Sequence, residues 1–325
     1  MNNLLILFLI SIFLTSCSLD KRSGLWNKSE KIKKEKKIIE VFKKESASQL
    51  ELNSDLEIKL PPRFTKNNTI NRMSNNTGRT KYNGNLKKIA KFKFSSINDF
   101  NETELDLIFY NYIIIFFDKK GSILKFNNLS KLIWKKNYYT KVEKKLGPKL
   151  FFSNNKNFLI VADNIAKYYA VDLSDGKLLW SKNNLAPFNS QIKIFKDKFF
   201  IIDFSNTLRC FSIKDGEELW NIRTENSMIR SQKKLSMVIV NGLLYFNNSI
   251  GDISAVDINN GELLWQLPTQ SSLIYEAAFS LETSDIIADT NTLFFSNNKN
   301  QFFSIDLGTG SFNWENKVNS SLRPS

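Results

Sequence analysis

The sequence predicts an all-β fold, a β-propeller of four-stranded blades. Two observations carry this expectation. First, a short phrase recurs. Residues 169–180 read Y-A-V-D-L-S-D-G-K-L-L-W, 210–220 read C-F-S-I-K-D-G-E-E-L-W, 254–265 read S-A-V-D-I-N-N-G-E-L-L-W and 303–314 read F-S-I-D-L-G-T-G-S-F-N-W. A worn copy at 124–134 reads L-K-F-N-N-L-S-K-L-I-W. Second, the closing tryptophans Trp134, Trp180, Trp220, Trp265 and Trp314 lie 46, 40, 45 and 49 residues apart, the period of a blade array. A β-sandwich with scattered tryptophans and Asp-Gly turns is the alternative. It gives no reason for Gly176, Gly216, Gly261 and Gly310 each to stand four residues before a tryptophan.

Each copy has a mechanical reading. An alternating apolar strand ends at Asp172, Asp257 or Asp306, and a tight turn follows. Its glycine supplies the positive φ that a short hairpin needs. A second short strand then closes on the tryptophan, whose indole buries apolar area between neighbouring sheets while its N–H seeks an acceptor. Equivalent aspartates in successive blades surround an axis, so Asp172, Asp257 and Asp306 are candidates for a metal ring. Against this, each stands just before its own turn, where a carboxylate caps backbone N–H groups. Ser212 fills the same slot in one copy.

The chain has 325 residues, 42% hydrophobic and 13% aromatic, which suits one large β domain with an arm. Histidine is absent, which removes the commonest general base and metal ligand. Residues 21–44 carry ten basic and three acidic side chains, half of the net charge of +14. Such a run suits anionic lipid or nucleic acid. Its aromatic residues, Trp26 and Phe42, stand near its two ends and are not interleaved with the basic run as single-strand binding requires, so it reads as a solvated tether with no nucleic-acid partner.

In chain order, residues 4–14 form an apolar run too short to span a bilayer as a helix, and they end in Leu14-Thr15-Ser16-Cys17. That ending resembles the lipobox of bacterial lipoproteins. The resemblance implies a signal peptide at 1–16, acylation of Cys17 and, with Ser18 following, transfer to the outer membrane. Met1-Asn2-Asn3 carries none of the usual basic residues. Cys210 is then without a disulfide partner and reads as a buried, inert thiol. Residues 17–85 read as the lipidated N-terminus and tether, with a short helix at 29–44, a stop at Leu60-Pro61-Pro62 and a loop at 67–84. The propeller is expected over 86–325. A strand at 86–95 resembles the last strand of a blade that the other terminus would complete. Four strands follow at 105–110, 113–117, 122–126 and 132–136. Three more lie at 157–163, 167–172 and 177–181, then four at 192–195, 199–204, 208–213 and 218–222. The next four are at 235–240, 243–247, 252–257 and 262–267, and the last at 285–288, 292–296, 301–306 and 311–316. Residues 320–325 look like the start of a further blade, and the chain is expected to be a C-terminally truncated form.

The A-V-D-L-x-x-G-x-x-x-W pattern resembles the pyrroloquinoline-quinone (PQQ) type of propeller repeat. With the lipobox, the tether, Leu60-Pro61-Pro62 and Gly84-Asn85-Leu86, the chain from Cys17 onward resembles the BamB family of outer-membrane protein assembly factors. That resemblance implies an eight-bladed propeller, of which about five blades are visible. It also implies a tryptophan ahead of the first blade, where Arg72-Met73 stands instead. It further implies a non-catalytic scaffold without cofactors, anchored by lipid to the periplasmic face of the outer membrane. Such a scaffold binds the core barrel subunit of the assembly machinery through loops on one face and receives unfolded outer-membrane protein precursors. Two other functions stay open. One is a lipoprotein that binds a polysaccharide or another ligand. The other is a relative of the quinone-dependent dehydrogenases, for which Asp163, Asp203 and Asp289 would be the acid–base candidates. Those three otherwise read as exposed-turn or strand-end residues.

Overall fold

The computed structural model describes residues 76, 91, 107–110, 112–225, 231–269 and 281–324, all within a compact unit of residues 60–325. The expectations for residues 1–16, Cys17, the arm at 21–44 and the strand at 86–95, of which only Lys91 is described, lie outside these residues.

Among the described residues, five four-stranded antiparallel sheets follow one another along the chain, each strand pairing with the next. The first blade comprises β1 (Ile108–Tyr110), β2 (Ile113–Phe117), β3 (Ile123–Asn127) and β4 (Leu132–Lys136). The second comprises β5 (Leu150–Asn154), β6 (Phe158–Asp163), β7 (Lys167–Asp172) and β8 (Leu178–Asn183). The third holds β9 (Lys193–Phe195), β10 (Lys198–Ile202), β11 (Thr207–Ser212) and β12 (Glu218–Arg223). The fourth holds β13 (Met237–Val240), β14 (Leu243–Asn247), β15 (Ile253–Asp257) and β16 (Leu263–Leu267). The fifth holds β17 (Ile287–Ala288), β18 (Thr292–Asn297), β19 (Gln301–Asp306) and β20 (Phe312–Asn316). The first strands β1, β5, β9, β13 and β17 neighbour one another in that order, so they form the hub and β4, β8, β12, β16 and β20 the rim. The expected all-β propeller of PQQ-like blades is the observed fold.

One strand escaped the sequence. β5 reads L-F-F-S-N, an apolar triplet without alternation just after Gly147-Pro148-Lys149, and it is buried at Leu150, Phe151 and Phe152. A hub strand is covered on both faces by adjacent blades, so its apolar residues run together instead of alternating.

The blades pack face to face through alternation. Along β7, Tyr169 and Val171 join the core shared with blade 1, while Tyr168 and Ala170 join the core shared with blade 3. β10 repeats this: Phe199 and Ile201 point to blade 2, Phe200 and Ile202 to blade 4. Period-2 side chains on a sheet covered on both sides therefore feed two cores at once. Each fully buried Leu, Ile or Phe contributes about 1.5–3 kcal/mol.

Candidate partner-binding surface and the joints that hold it

Every letter of the repeated phrase has a structural cause. The residue opposite each tryptophan is Lys125, Ala170, Cys210, Ala255 or Ser304, small in four of the five blades. Cys210 is therefore the small residue under Trp220. It is fully buried, and burial pushes its thiol up to about 12, which keeps it protonated and unreactive. Just beyond that pair the register shifts by one residue in all five blades, between Lys125 and Phe126, Ala170 and Val171, Cys210 and Phe211, Ala255 and Val256, and Ser304 and Ile305. This recurrent bulge turns Ile133, Leu179, Leu219 and Leu264 outward on the rim strands.

The aspartates are turn caps. Asp172 Oδ1 accepts from Ser174 N at 2.7 Å, Asp257 Oδ1 from Asn259 N at 2.7 Å, and Asp306 Oδ1 from Gly308 N and Thr309 N at 3.0 and 2.9 Å. The Ser174 hydroxyl and amide hold the Asp172 carboxyl below its ordinary value, and Thr309 does the same for Asp306. Among the described residues no group of three His, Cys, Asp or Glu side chains is placed to hold a metal ion.

The glycines are the other half of an interblade joint. Gly176, Gly216, Gly261 and Gly310 have φ of 70–75°. A Cβ on each would fall 2.5–3.0 Å from the indole or its neighbour in the preceding blade: Trp134 and Lys136, Trp180, Trp220 and Trp265 respectively. Each tryptophan thus lies on the bare backbone of the next blade's turn. Trp180 Nε1 donates to Ile213 O at 2.9 Å and Trp265 Nε1 to Leu307 O at 3.1 Å. Trp134 and Trp220 lie in the same joints without an acceptor for the indole N–H. In the first joint the matching carbonyl, Leu173 O, is taken by Lys125 Nζ at 2.7 Å. The worn first copy keeps its turn with Ser130 at φ 61°, in the place where the others have glycine.

Of the acid–base candidates, Asp289 is exposed, as expected. Asp163 and Asp203 stand at strand ends, as read from the sequence, and are fully buried. The reason is position. They close the turn between the second and third strands, where Asp118 also caps, and the neighbouring loops cover them. Asp163 Oδ1 accepts from Ile165 N and Lys167 N, and its Oδ2 accepts from the Tyr139 hydroxyl. Burial raises its carboxyl above the ordinary value against the pull of these bonds. Asp203 Oδ1 accepts from Ser205 N and Thr207 N, and its Oδ2 from Arg209 Nε at 2.8 Å. Asp289 Oδ1 accepts from Asn291 N and Thr292 N. All three carboxylates are engaged in holding turns.

The strand order sorts the loops onto two faces. Strands alternate in direction, so the glycine turns share one face with the turns that follow each hub strand. The turns between second and third strands, which Asp118, Asp163 and Asp203 cap, share the other with the described parts of the long connections between blades, at residues 137–149, 184–192, 224–225, 231–236, 268–269 and 281–286. On this long-loop face Val142, Leu146 and Leu185 are exposed, Leu185 almost completely at 98%. Lys141, Lys144 and Lys145 lie beside the first two. Glu143, between them, is paired with Lys167 Nζ at 3.1 Å, so the local balance of charge is basic. Val142 and Leu146, exposed within one short connection beside basic residues, make this face the candidate interaction surface. The sequence carried no periodic signal for it, because these residues belong to loops and not to the repeat.

Among the described residues no helix is long and apolar enough to cross a membrane, which says nothing of strands. A family model described as outer membrane protein assembly factor BamB matches residues 119–325. The crystal structure of BamB from Moraxella catarrhalis is similar at a TM-score of 0.56 and 16% identity, over 67% of this chain and 66% of that one. The quinohemoprotein alcohol dehydrogenase ADHIIG from Pseudomonas putida HK5 is similar at 0.53 and 14% identity, over 65% of this chain and 41% of that one. The computationally designed Ika8 protein is similar at 0.53 and 12% identity, over 66% and 63%. The chain thus spans less than two thirds of the length of these structures, and at these identities the likeness is one of fold. No curated protein matches the chain. With the family model matching well over half of its length, the chain belongs to the PQQ-like propeller family described as outer membrane protein assembly factor BamB.

Proposed function

We propose that this chain is a non-catalytic scaffold of the BamB type. In this reading it is tethered by an acylated Cys17 to the periplasmic face of the outer membrane. It binds the core barrel subunit of the β-barrel assembly machinery and assists the insertion of outer-membrane proteins. The observation that carries the reading is the family match over residues 119–325. The carboxylates support it, since Asp163, Asp203 and Asp289 each spend Oδ1 on their own turn, and Oδ2 of Asp163 and of Asp203 accepts from Tyr139 and Arg209. The docking surface is the long-loop face, with Val142, Leu146 and Leu185 as apolar anchors in a basic surround. Its complement is an acidic surface with an apolar centre.

The test is co-purification from detergent-solubilised envelopes with the full chain tagged at its C-terminus. Recovery of the barrel-assembly core subunit is the expected result. Recovery of no assembly subunit by a folded, lipidated chain contradicts it and leaves the ligand-binding lipoprotein.

A further inference from the structure

Asn76 falls in the segment read as a tether, yet its side chain is 2% exposed and sits at the hub. Its Nδ2 lies 3.2 Å from Gln191 Oε1, 3.2 Å from Ser236 Oγ, 3.2 Å from Met237 O and 2.8 Å from Ile286 O. Its Oδ1 accepts from Lys193 Nζ. The surrounding groups come from the entries to the hub strands of blades 3, 4 and 5, which are themselves tied together. Gln191 N donates to Leu235 O at 2.8 Å, and Ile286 N donates to Ser236 Oγ at 3.0 Å.

We propose that this end of the hub is a carboxamide-binding site, and that the chain fills it with Asn76 as a tethered ligand that clamps blades 3, 4 and 5 together. The chemistry selects the ligand. The cavity offers acceptors from three blades on one side and one buried ammonium, Lys193 at 1% exposure, on the other. A primary amide carries donors and an acceptor on adjacent atoms and answers both. A carboxylate satisfies Lys193 but faces two backbone carbonyls with no proton to give. An apolar side chain offers neither a donor nor an acceptor to these buried polar groups. Asn76 also has φ 59°, a left-handed conformation that asparagine tolerates better than most residues. The ligand class is therefore an asparagine presented by a peptide segment, and the described contacts of Asn76 are with blades 3, 4 and 5 alone.

The test is amide hydrogen exchange on the full chain. Asn76→Gly removes the carboxamide while keeping the backbone conformation accessible. Exchange at β9, β13 and β17 is expected to rise about tenfold or more, with β1 and β5 unchanged. A synthetic peptide spanning residues 70–82 should restore protection to this variant, and the same peptide with alanine at position 76 should not. Protection by both peptides or by neither overturns the proposal, as does unchanged or uniformly raised exchange in Asn76→Gly. Should Asn76→Gly fail to fold, Gln191→Ala removes one half-buried acceptor and should raise exchange severalfold in the same three strands. A uniform rise, or none, is the contrary result.

Discussion

Trp180 and Trp314 occupy the same place in the repeat and live in different surroundings. Trp180 lies on Gly216 of the next blade, stacks at 6.1 Å on Phe199 and donates its N–H to Ile213 O. Trp314 is 40% exposed, and its ring contacts are Phe294 and Phe302 of its own blade. All of β20 is exposed, whereas β8 has Trp180 and Lys182 half-buried. The same letters thus mean a joint in one place and a bare rim in the other. A propeller repeat acquires its energy from the neighbour that covers it, as in other repeat proteins.

That contrast can be broken in graded steps. Trp180→Ala should cost about 3–5 kcal/mol in chemical denaturation, the usual range for a packed Trp. Trp314→Ala should cost only about 1–2 kcal/mol, because less of its surface is buried. Equal losses would show that the interblade joint contributes nothing special. Gly216→Ala should cost about 2–4 kcal/mol, since a Cβ would meet Trp180 at 2.7 Å on a backbone at φ 70°. Ser130→Gly attacks from the other side. It relieves a left-handed serine in the worn joint and should stabilise by about 0.5–1 kcal/mol, visible as a higher Tm.

The smallest effect is in pH. Burial raises the Asp163 carboxyl in the folded state, so that state binds more protons than the unfolded chain between the ordinary value of about 3.9 and the raised one. This group therefore subtracts from stability as pH rises through that window. Asp163→Asn keeps an oxygen for the Ile165 and Lys167 amides and removes the titration. Its Tm relative to wild type should improve as pH rises from about 4 to 7, and a pH-independent difference would contradict this account.

The fold was legible because its signals repeat. Gly four residues before Trp and Asp at the strand end each answer a local need that recurs in successive blades. What could not be read has physical causes too. β5 lost its alternation by being buried on both faces. The burial of Asp163 and Asp203 could not be read, because the burial of a residue at a turn depends on loops from elsewhere. Asn76 carried no signal at all, since its partners lie 115 to 210 residues away in sequence. The long-loop face was invisible for the same reason that it suits recognition: loops are free to vary while the joints are not.

The most direct test of the scaffold account is the affinity of the purified chain for the purified core subunit of the barrel-assembly machinery, compared with that of a Val142→Asp, Leu185→Asp double variant. Both residues are exposed, so Tm should stay within about 1 °C of wild type, as surface substitutions usually do. The account predicts that binding weakens about tenfold or more, the loss expected when apolar anchors are replaced by charge. Unchanged affinity in a variant of unchanged stability would contradict it.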